Sequence, residues 1–521
     1  MKKKLLTVSL VVFALLPVFA GGRAATGSAG AGGAMNITVT AQHWAPHPLP
    51  AEDSIIFKTI AETQNVKFTF DWRQASDYGA QVATLLASGK LPDLLDPSGY
   101  GIMALVKEGA IIQLDGYLEK YGKNIIAAIG ESNMASWKSA DGHIYNIPGI
   151  YMNLKGAQSM MIRKDWLDKL NLKEPSTWNE WLTVWRAFRD NDMNGDGDKS
   201  NEIPLCLEAG DNGERSMASL LCAFGIQASE DTQFCIYQGR YIPVYEHPRY
   251  LEFLEAVAGL YKEGILDKEF TTRTMNEQFK IMDNGLCGST MTWAERASIS
   301  TTVNREAGNR NALWKCVAPI KGPYGDQSTQ ARDWRCTPGL CITISAEKAG
   351  KVEGIIKFFD WFFSAKGIEL YSFGVEGKTF DYVSGKPVLK PAIIANRFTS
   401  MRAAGLDYEP FPGIWTVEAY MQCLTSGQSY NQLPDMVQSF YDGLFTVNND
   451  YFYFQPDTLE TDAYVSNRAS LITTGVCVLR DRCIAGQITP AQFKSQYDAL
   501  KGRGFQAIID QGAAAYAAKR R

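Results

Sequence analysis

One eleven-residue run has the spacing of a metal cage. It reads Asp192-Met-Asn194-Gly-Asp196-Gly197-Asp198-Lys-Ser200-Asn201-Glu202. Oxygen side chains at alternate positions converge on one point when the backbone coils around it, and Gly197 permits the sharp turn. Asp198 would offer its backbone carbonyl, with Asn201 beside it, and Glu202 would close the cage. A set of hard oxygens and this loop length favour Ca²⁺ over Mg²⁺ or Zn²⁺. The closing acid falls one position earlier than in an EF-hand, and Ile203-Pro204 follows at once, so no ordinary exiting helix starts there. The expectation is a structural calcium loop, with a solvated acidic turn as the alternative.

A second chemistry is written in the aromatics. A saccharide ring has an apolar C–H face and a rim of hydroxyls; aromatic planes cover the first, and Asp, Asn or Arg pair with the second. Of the twelve Trp, Trp166, Trp178, Trp181, Trp185 and Trp361 lie on amphipathic helical patterns and belong to a core. Trp44, Trp72, Trp137, Trp293, Trp314, Trp334 and Trp415 stand at strand ends or in loops. Trp293 and Trp415 are the first choices for ligand contact. The former ends a strand-like run beside Glu295 and Arg296; the latter sits in Pro412-Gly-Ile-Trp. Trp44, Tyr145, Tyr151 and Trp334 follow, with Arg296, Arg335 or Lys378 available to an acidic ligand. His43 and His47 have a helical zinc spacing, but Pro46 and Pro48 forbid the helix. Glu376, between glycines, is expected to tie down its own turn.

The elements that would carry these groups alternate. Met35 to Ala41 reads as a strand, Ser54 to Thr63 as a helix and Val66 to Trp72 as a strand. A helix capped at Ser76-Asp77 and stopped by Gly89 then leads to a short strand at Leu94-Leu95. That order marks a parallel, doubly wound sheet, whose ligands lie beyond the carboxyl ends of the strands, here near His43-Trp44, Trp72 and Asp96 to Tyr100. A strand from Ile144 to Ile147 is expected to stop at Pro148-Gly149. Met160 to Ile162 then opens a second unit, which makes this crossing a hinge. Arg249 to Glu263 and Lys348 to Phe363 read as amphipathic helices, Cys287 to Trp293 and Gly339 to Ile344 as strands, and Thr489 to Leu500 and Gly504 to Lys519 as closing helices.

Length of 521 residues allows two or three domains, and 45% apolar with 21% charged residues is ordinary for a soluble globular chain. A net charge of −4 argues against a nucleic-acid binder. Lys2 to Lys4, the apolar run Leu5 to Phe19 and Ala20 read as a cleaved secretory signal over residues 1–20. Residues 21–34 are a Gly/Ala tether. No Cys precedes Cys206, so a lipid anchor is not expected and the protein is expected free in a periplasm. The ten Cys show no zinc pattern. Cys336/Cys341 and Cys477/Cys483 are the closest pairs, and spacing leaves a bridge in either open.

Leu86-Ala-Ser-Gly89-Lys-Leu-Pro92-Asp93, Asp141-Gly142 through Tyr145-Asn-Ile-Pro148, Ile162-Arg-Lys-Asp165-Trp-Leu-Asp-Lys-Leu170 and Leu260-Tyr-Lys-Glu-Gly264-Ile-Leu-Asp267 resemble extracellular solute-binding proteins of carbohydrate ABC importers. So does Tyr371-Ser-Phe-Gly374-Val-Glu376-Gly377-Lys378-Thr379-Phe380. The acidic loop ending in Glu-Ile-Pro resembles the alginate-oligosaccharide-binding and lipoprotein-type subgroup, and Trp293 and Trp415 resemble its stacking tryptophans. The resemblance implies an α/β, type II periplasmic-binding-protein-like fold, with two doubly wound lobes joined by a hinge around a ligand cleft. It also implies that a monomer captures an oligosaccharide by closing and delivers it to ABC permease subunits. The lobes are expected at 35–155 plus about 294–345 (N-lobe) and about 156–293 plus 346–521 (C-lobe). The rival class is a secreted polysaccharide-degrading glycosidase or lyase; the chain carries no nucleophile elbow, zincin motif, P-loop or dinucleotide fingerprint.

Overall fold

The computed structural model describes residues 33–43, 53–130, 134–151, 158–208, 217–228, 233–331, 337–395, 400–401, 403–406, 414–447, 451–454 and 459–519. The signal and most of the tether, Trp44, Trp334, Arg335 and Cys336 lie outside them. The strands are β1 (Met35–His43), β2 (Val66–Gln74), β3 (Leu94–Leu95), β4 (Asn146–Tyr151), β5 (Gln158–Arg163), β6 (Phe234–Tyr237), β7 (Arg240–Pro243) and β8 (Ser289–Trp293). There follow β9 (Trp314–Val317), β10 (Thr329–Ala331), β11 (Thr337–Ile342), β12 (Phe380–Val383), β13 (Lys386–Leu389), β14 (Ile414–Trp415) and β15 (Phe452–Phe454).

The N-lobe is built on a six-stranded sheet in the order β14-β4-β11-β3-β1-β2. Ile37, Val39 and Ala41 alternate inward on β1 and are buried. β1 pairs in parallel with β2 from Met35↔Val66 to His43↔Gln74, and with β3 at Val39↔Leu94. Ser54 caps the helix Ile55–Gln64 by accepting the Phe57 N–H, and Gly89 ends the helix Tyr78–Ser88 at φ 65°. The helix Val352–Phe362 covers the same face, its Phe358 ring 5.2 Å from Phe68. Each such apolar side chain taken out of water stabilises the lobe by about 1.5–3 kcal/mol.

Pro148-Gly149 does not end its strand. β4 runs through both residues to Tyr151. Proline gives the ladder no N–H and is tolerated where a neighbour bulges. Here β11 supplies the bulge: its register against β4 shifts between Thr337↔Gly149 and Leu340↔Ile147. Gly339 turns that corner at φ 54°, and a Cβ there would lie 1.9 Å from the Ile147 carbonyl oxygen.

The C-lobe holds a three-stranded antiparallel sheet, β8-β5-β9. Its main core includes Trp166, Trp181, Trp185, Phe253 and, from the far end of the chain, Tyr464, Phe493 and Ile508. The division of the chain differs from the sequence expectation in two stretches. The helix Glu295–Glu306 and β9 belong to the C-lobe: Ala297, Trp314 and Cys316 share a cluster with Met161 and Cys287. The stretch from β11 through the helix Ala365–Phe373 belongs to the N-lobe, packed with Ile37 and Phe68. Amphipathic periodicity tells which face of an element is buried, but strand pairing decides against which sheet. The lobes are joined by β4 to β5, by β10 to β11, and by the helix Val417–Thr425, whose Ala419 packs in the N-lobe cluster and Leu424 in the C-lobe one.

Cys341, Cys477 and Cys483 are buried, and 477 and 483 form no bridge with each other. Among the described residues no helix is long and apolar enough to cross a membrane.

Gly339→Ala adds a Cβ against backbone and a side chain at positive φ. It is expected to destabilise the protein by about 3 kcal/mol in denaturant unfolding; a loss within experimental error would mean that the bulge does not hold β4 and β11 in register.

Candidate functional site

The acidic loop hangs from a rigid support. The helix Trp178–Asp190 starts with a full capping box between Thr177 and Glu180 and buries Trp181, Val184, Trp185 and Phe188. Trp185 Nε1 donates to Ser289 Oγ at 2.8 Å, pinning the helix to β8. The loop then coils on its own carboxylates. Asp192 accepts the N–H groups of Gly195 and Gly197 at 2.7 and 2.9 Å, Asn194 that of Asp196 at 2.9 Å, and Asp196 that of Asp198 at 2.8 Å. The Asp198 N–H first, and then the Asn201 amide, hold the Asp196 carboxyl below its ordinary range. The Ser200 hydroxyl does the same for Asp198.

Glu202 closes the loop. Its Oε1 accepts the Met193 N–H at 2.7 Å and the Asn194 N–H at 3.2 Å. Its Oε2 is buried without a hydrogen-bond partner. Such an orphaned oxygen costs stability unless something compensates it. Beside it the amides of Asn194 and Asn201 both donate to Asp196 Oδ2, at 3.1 and 2.6 Å. Turning either amide over would present a carbonyl oxygen in place of its N–H. Donor chemistry and the orphaned oxygen therefore suit a hard cation held by Asp192, Asn194, Asp196, Asn201, Glu202 and the Asp198 carbonyl. Among the described residues no three His, Cys, Asp or Glu side chains already converge as a metal cluster.

The aromatics flank the chain crossing. β14 pairs with β4 so that Trp415 stands beside Tyr151 on the N-lobe side. On the C-lobe side β8 pairs with β5 so that half-buried Trp293 stands opposite Gln158. Thus the two preferred tryptophans stand on strands of opposite lobes, each paired with a strand end of β4 or β5. For Tyr151 and Trp415 the backbone position is described and the side chain is not.

Tyr145 and Arg296 are placed otherwise than expected. Tyr145 is buried with Tyr78, Leu105 and Cys341, and its hydroxyl donates to Asp141 at 2.7 Å. Burial, then Asp141, pushes that phenol up. It is a core residue, packed in the cluster beneath the loop that follows β3. Arg296 Nη2 donates to Asp283 Oδ1 at 2.6 Å and Ser300 Oγ at 2.9 Å, and its guanidinium lies 4.3 Å from the Phe279 ring centre. It braces two helices.

Asp96, just past β3, is buried and receives the N–H groups of Gln42 and Ser98 at 3.2 and 2.8 Å. Burial raises its pKa against those bonds. Tyr78 ties down the same corner, donating to the Thr40 and Asp96 carbonyls at 3.2 and 3.0 Å. An Asp followed by Pro-Ser-Gly at a strand end was the available signal for this fixed loop. His43 Nδ1 and Trp72 Nε1, at the carboxyl ends of β1 and β2, are buried without partners.

Two α/β lobes linked by crossing strands define a type II periplasmic-binding-protein-like fold. Solved structures agree: the alginate-binding protein AlgQ2 without calcium ion has a TM-score of 0.71 at 23% identity, covering 93% of this chain and 98% of that one. The Streptococcus pneumoniae ABC-transporter substrate-binding protein FusA in complex with kestose has a TM-score of 0.69 at 19% identity, covering 93% and 99%. Residues 48–202 match the family model of bacterial extracellular solute-binding proteins. Among curated relatives, the fructooligosaccharide ABC transporter substrate-binding protein FusA of S. pneumoniae serotype 4 is 28% identical over 293 residues, 54% of this chain and 52% of that protein. The match thus spans about half of that relative. The polygalacturonan/rhamnogalacturonan-binding protein YtcQ of Bacillus subtilis is 21% identical over 471 residues, 89% and 88% of the two chains.

Tyr145→Phe removes one hydroxyl bond and no volume, and is expected to cost about 1 kcal/mol. Arg296→Met takes away the cation paired with Asp283 and is expected to cost about 2 kcal/mol. Urea unfolding of both variants measures this; unchanged midpoints would return both residues to the set open to ligand.

Proposed function

We propose that the protein is the substrate-binding component of a carbohydrate ABC importer. It binds an oligosaccharide between its lobes, closes on it, and presents it to membrane permease subunits without breaking a bond. The observation that carries this reading is the placement of Trp293 and Trp415 on strands of opposite lobes, each paired with a strand end of β4 or β5. A ring stacked on both is held fully only when the lobes approach, so the sugar favours the closed state by its differential affinity. Relatives named for fructooligosaccharide, polygalacturonan and alginate binding support saccharide as the ligand class. They also support a binder over the secreted polysaccharide-degrading enzyme. The chain acts as a monomer, exported by its N-terminal signal into the periplasm.

The loop at Asp192 to Glu202 is a structural calcium site in this reading. Ca²⁺ supplies positive charge that satisfies the buried Glu202 oxygen and fixes the turn between the helix Trp178–Asp190 and the strand region before β8. No step of capture runs through it.

Two measurements test these readings. Calorimetric titration with fructo-, alginate and pectic oligosaccharides should find a binder among them, and Trp293→Ala and Trp415→Ala should each weaken it at least about tenfold, ~1.4 kcal/mol. New reducing ends released from any of these sugars would instead make the protein an enzyme. For the loop, calcium at about 100 times its Kd should add about 2.7 kcal/mol of stability over chelator-treated protein. Glu202→Gln should abolish that difference; identical melting with calcium and with chelator would leave the loop a solvated turn.

A further inference from the structure

Away from the crossing strands, the C-terminal segment reaches back across to the N-lobe. Glu460 Oε2 accepts the Met103 N–H at 3.2 Å, in the first turn of the N-lobe helix Ile102–Lys107. One turn further on, Lys107 Nζ donates to Ser466 Oγ at 2.8 Å. At the end of the chain, Lys519 Nζ donates to the Lys138 carbonyl at 2.6 Å.

Glu460 is held firmly from its own side. Leu459, buried in the C-lobe core, donates its N–H to Tyr241 Oη at 3.1 Å. Thr461 caps the helix Asp462–Asn467 through the Tyr464 N–H. On the receiving side, Gly101 takes φ 98°, and a Cβ there would lie 2.7 Å from Glu460 Oε1. Only a glycine lets the carboxylate come so close. The loop that carries Gly101 is the one fixed by Asp96 and Tyr78, and the Gly101 N–H is bonded to the Pro97 carbonyl at 2.9 Å. Both halves of the contact are therefore rigid, and they stand at the carboxyl end of the parallel strands, where ligands of such sheets lie.

The geometry points to Glu460 as a positioning residue that clasps the lobes shut at this rim and so sets ligand affinity without being one of the stacking residues. A hydrogen bond to a charged carboxylate is among the stronger single contacts a protein makes. It exists only while the lobes touch, so it adds to the stability of the closed state and to nothing in the open one. A ligand that binds the closed form gains apparent affinity in proportion to the population of that form. This inference rests on the binding-protein reading above for its ligand, but the clasp itself is a property of the unliganded chain.

The test separates the two. Small-angle scattering of ligand-free protein should show a larger radius of gyration for Glu460→Ala than for wild type, with Glu460→Gln, whose amide oxygen still accepts, in between. Circular dichroism of Glu460→Ala should match wild type, since the residue lies outside the core. Stopped-flow release of the best saccharide should be about tenfold faster from Glu460→Ala. Gly101→Ala should act in the same direction, and the double variant should be no worse than Glu460→Ala alone, because both remove one contact. An unchanged radius of gyration overturns the clasp, even if affinity falls, because Glu460 would then be a direct sugar contact. If wild type binds no saccharide, the importer reading fails while the scattering still decides the clasp.

Discussion

Three neighbouring strands carry the architecture, and one close backbone approach lets two of them keep their register. β4 lies between β14 and β11, and each of the three leads toward a link with the other lobe. Pro148 would break the β4 ladder if β11 met it in regular register. Gly339 lets β11 step round the proline with its backbone against the Ile147 carbonyl. Because of that fit the links leave one edge of one sheet side by side. Links so grouped can twist together, whereas links scattered over a surface would lock two bodies into one.

The same grouping explains where the aromatic pairs fall. Tyr151 and Trp415 are the last residues of their strands on the N-lobe side. Gln158 and Trp293 are the first paired residues on the C-lobe side. Neither tryptophan is near the other in sequence. Each is paired with one of two consecutive strands in different sheets, β4 and β5, which recruit their partners from distant parts of the chain. The acidic loop acts further back: it ends where residues 203–206 run alongside 286–290, the approach to β8.

What could be read beforehand follows how local each feature is. The caps at Ser54 and Thr489, the stop at Gly89 and the coil of the loop from Asp192 to Glu202 are settled by residues within a few positions of one another, and all were legible. The alternation in β1 and the helical period of Val352–Phe362 were legible too, as faces. Which sheet those faces meet was not, which is why 294–331 and 346–373 changed lobes. Pro148 read as a stop because its compensation lies at Gly339, almost two hundred residues away. Arg296 read as available to a ligand because its partner Asp283 belongs to the preceding helix. Glu460 carried no local sign at all, since its partner is a backbone N–H of the other lobe.

Among the described residues nine cysteines are buried and form no disulfide. Burial pushes Cys222 and Cys483 up to about 11 and Cys316 to about 12. The reactive form is the thiolate, so in the native state these sulfurs are nearly inert to oxidants and alkylating agents. A chain that opens in one lobe acquires several nucleophiles at once, and any cross-link or sulfenic acid formed there obstructs repacking of a close-fitted interior. Durability of this protein is then governed by how often it breathes, and each excursion carries a chance of permanent inactivation.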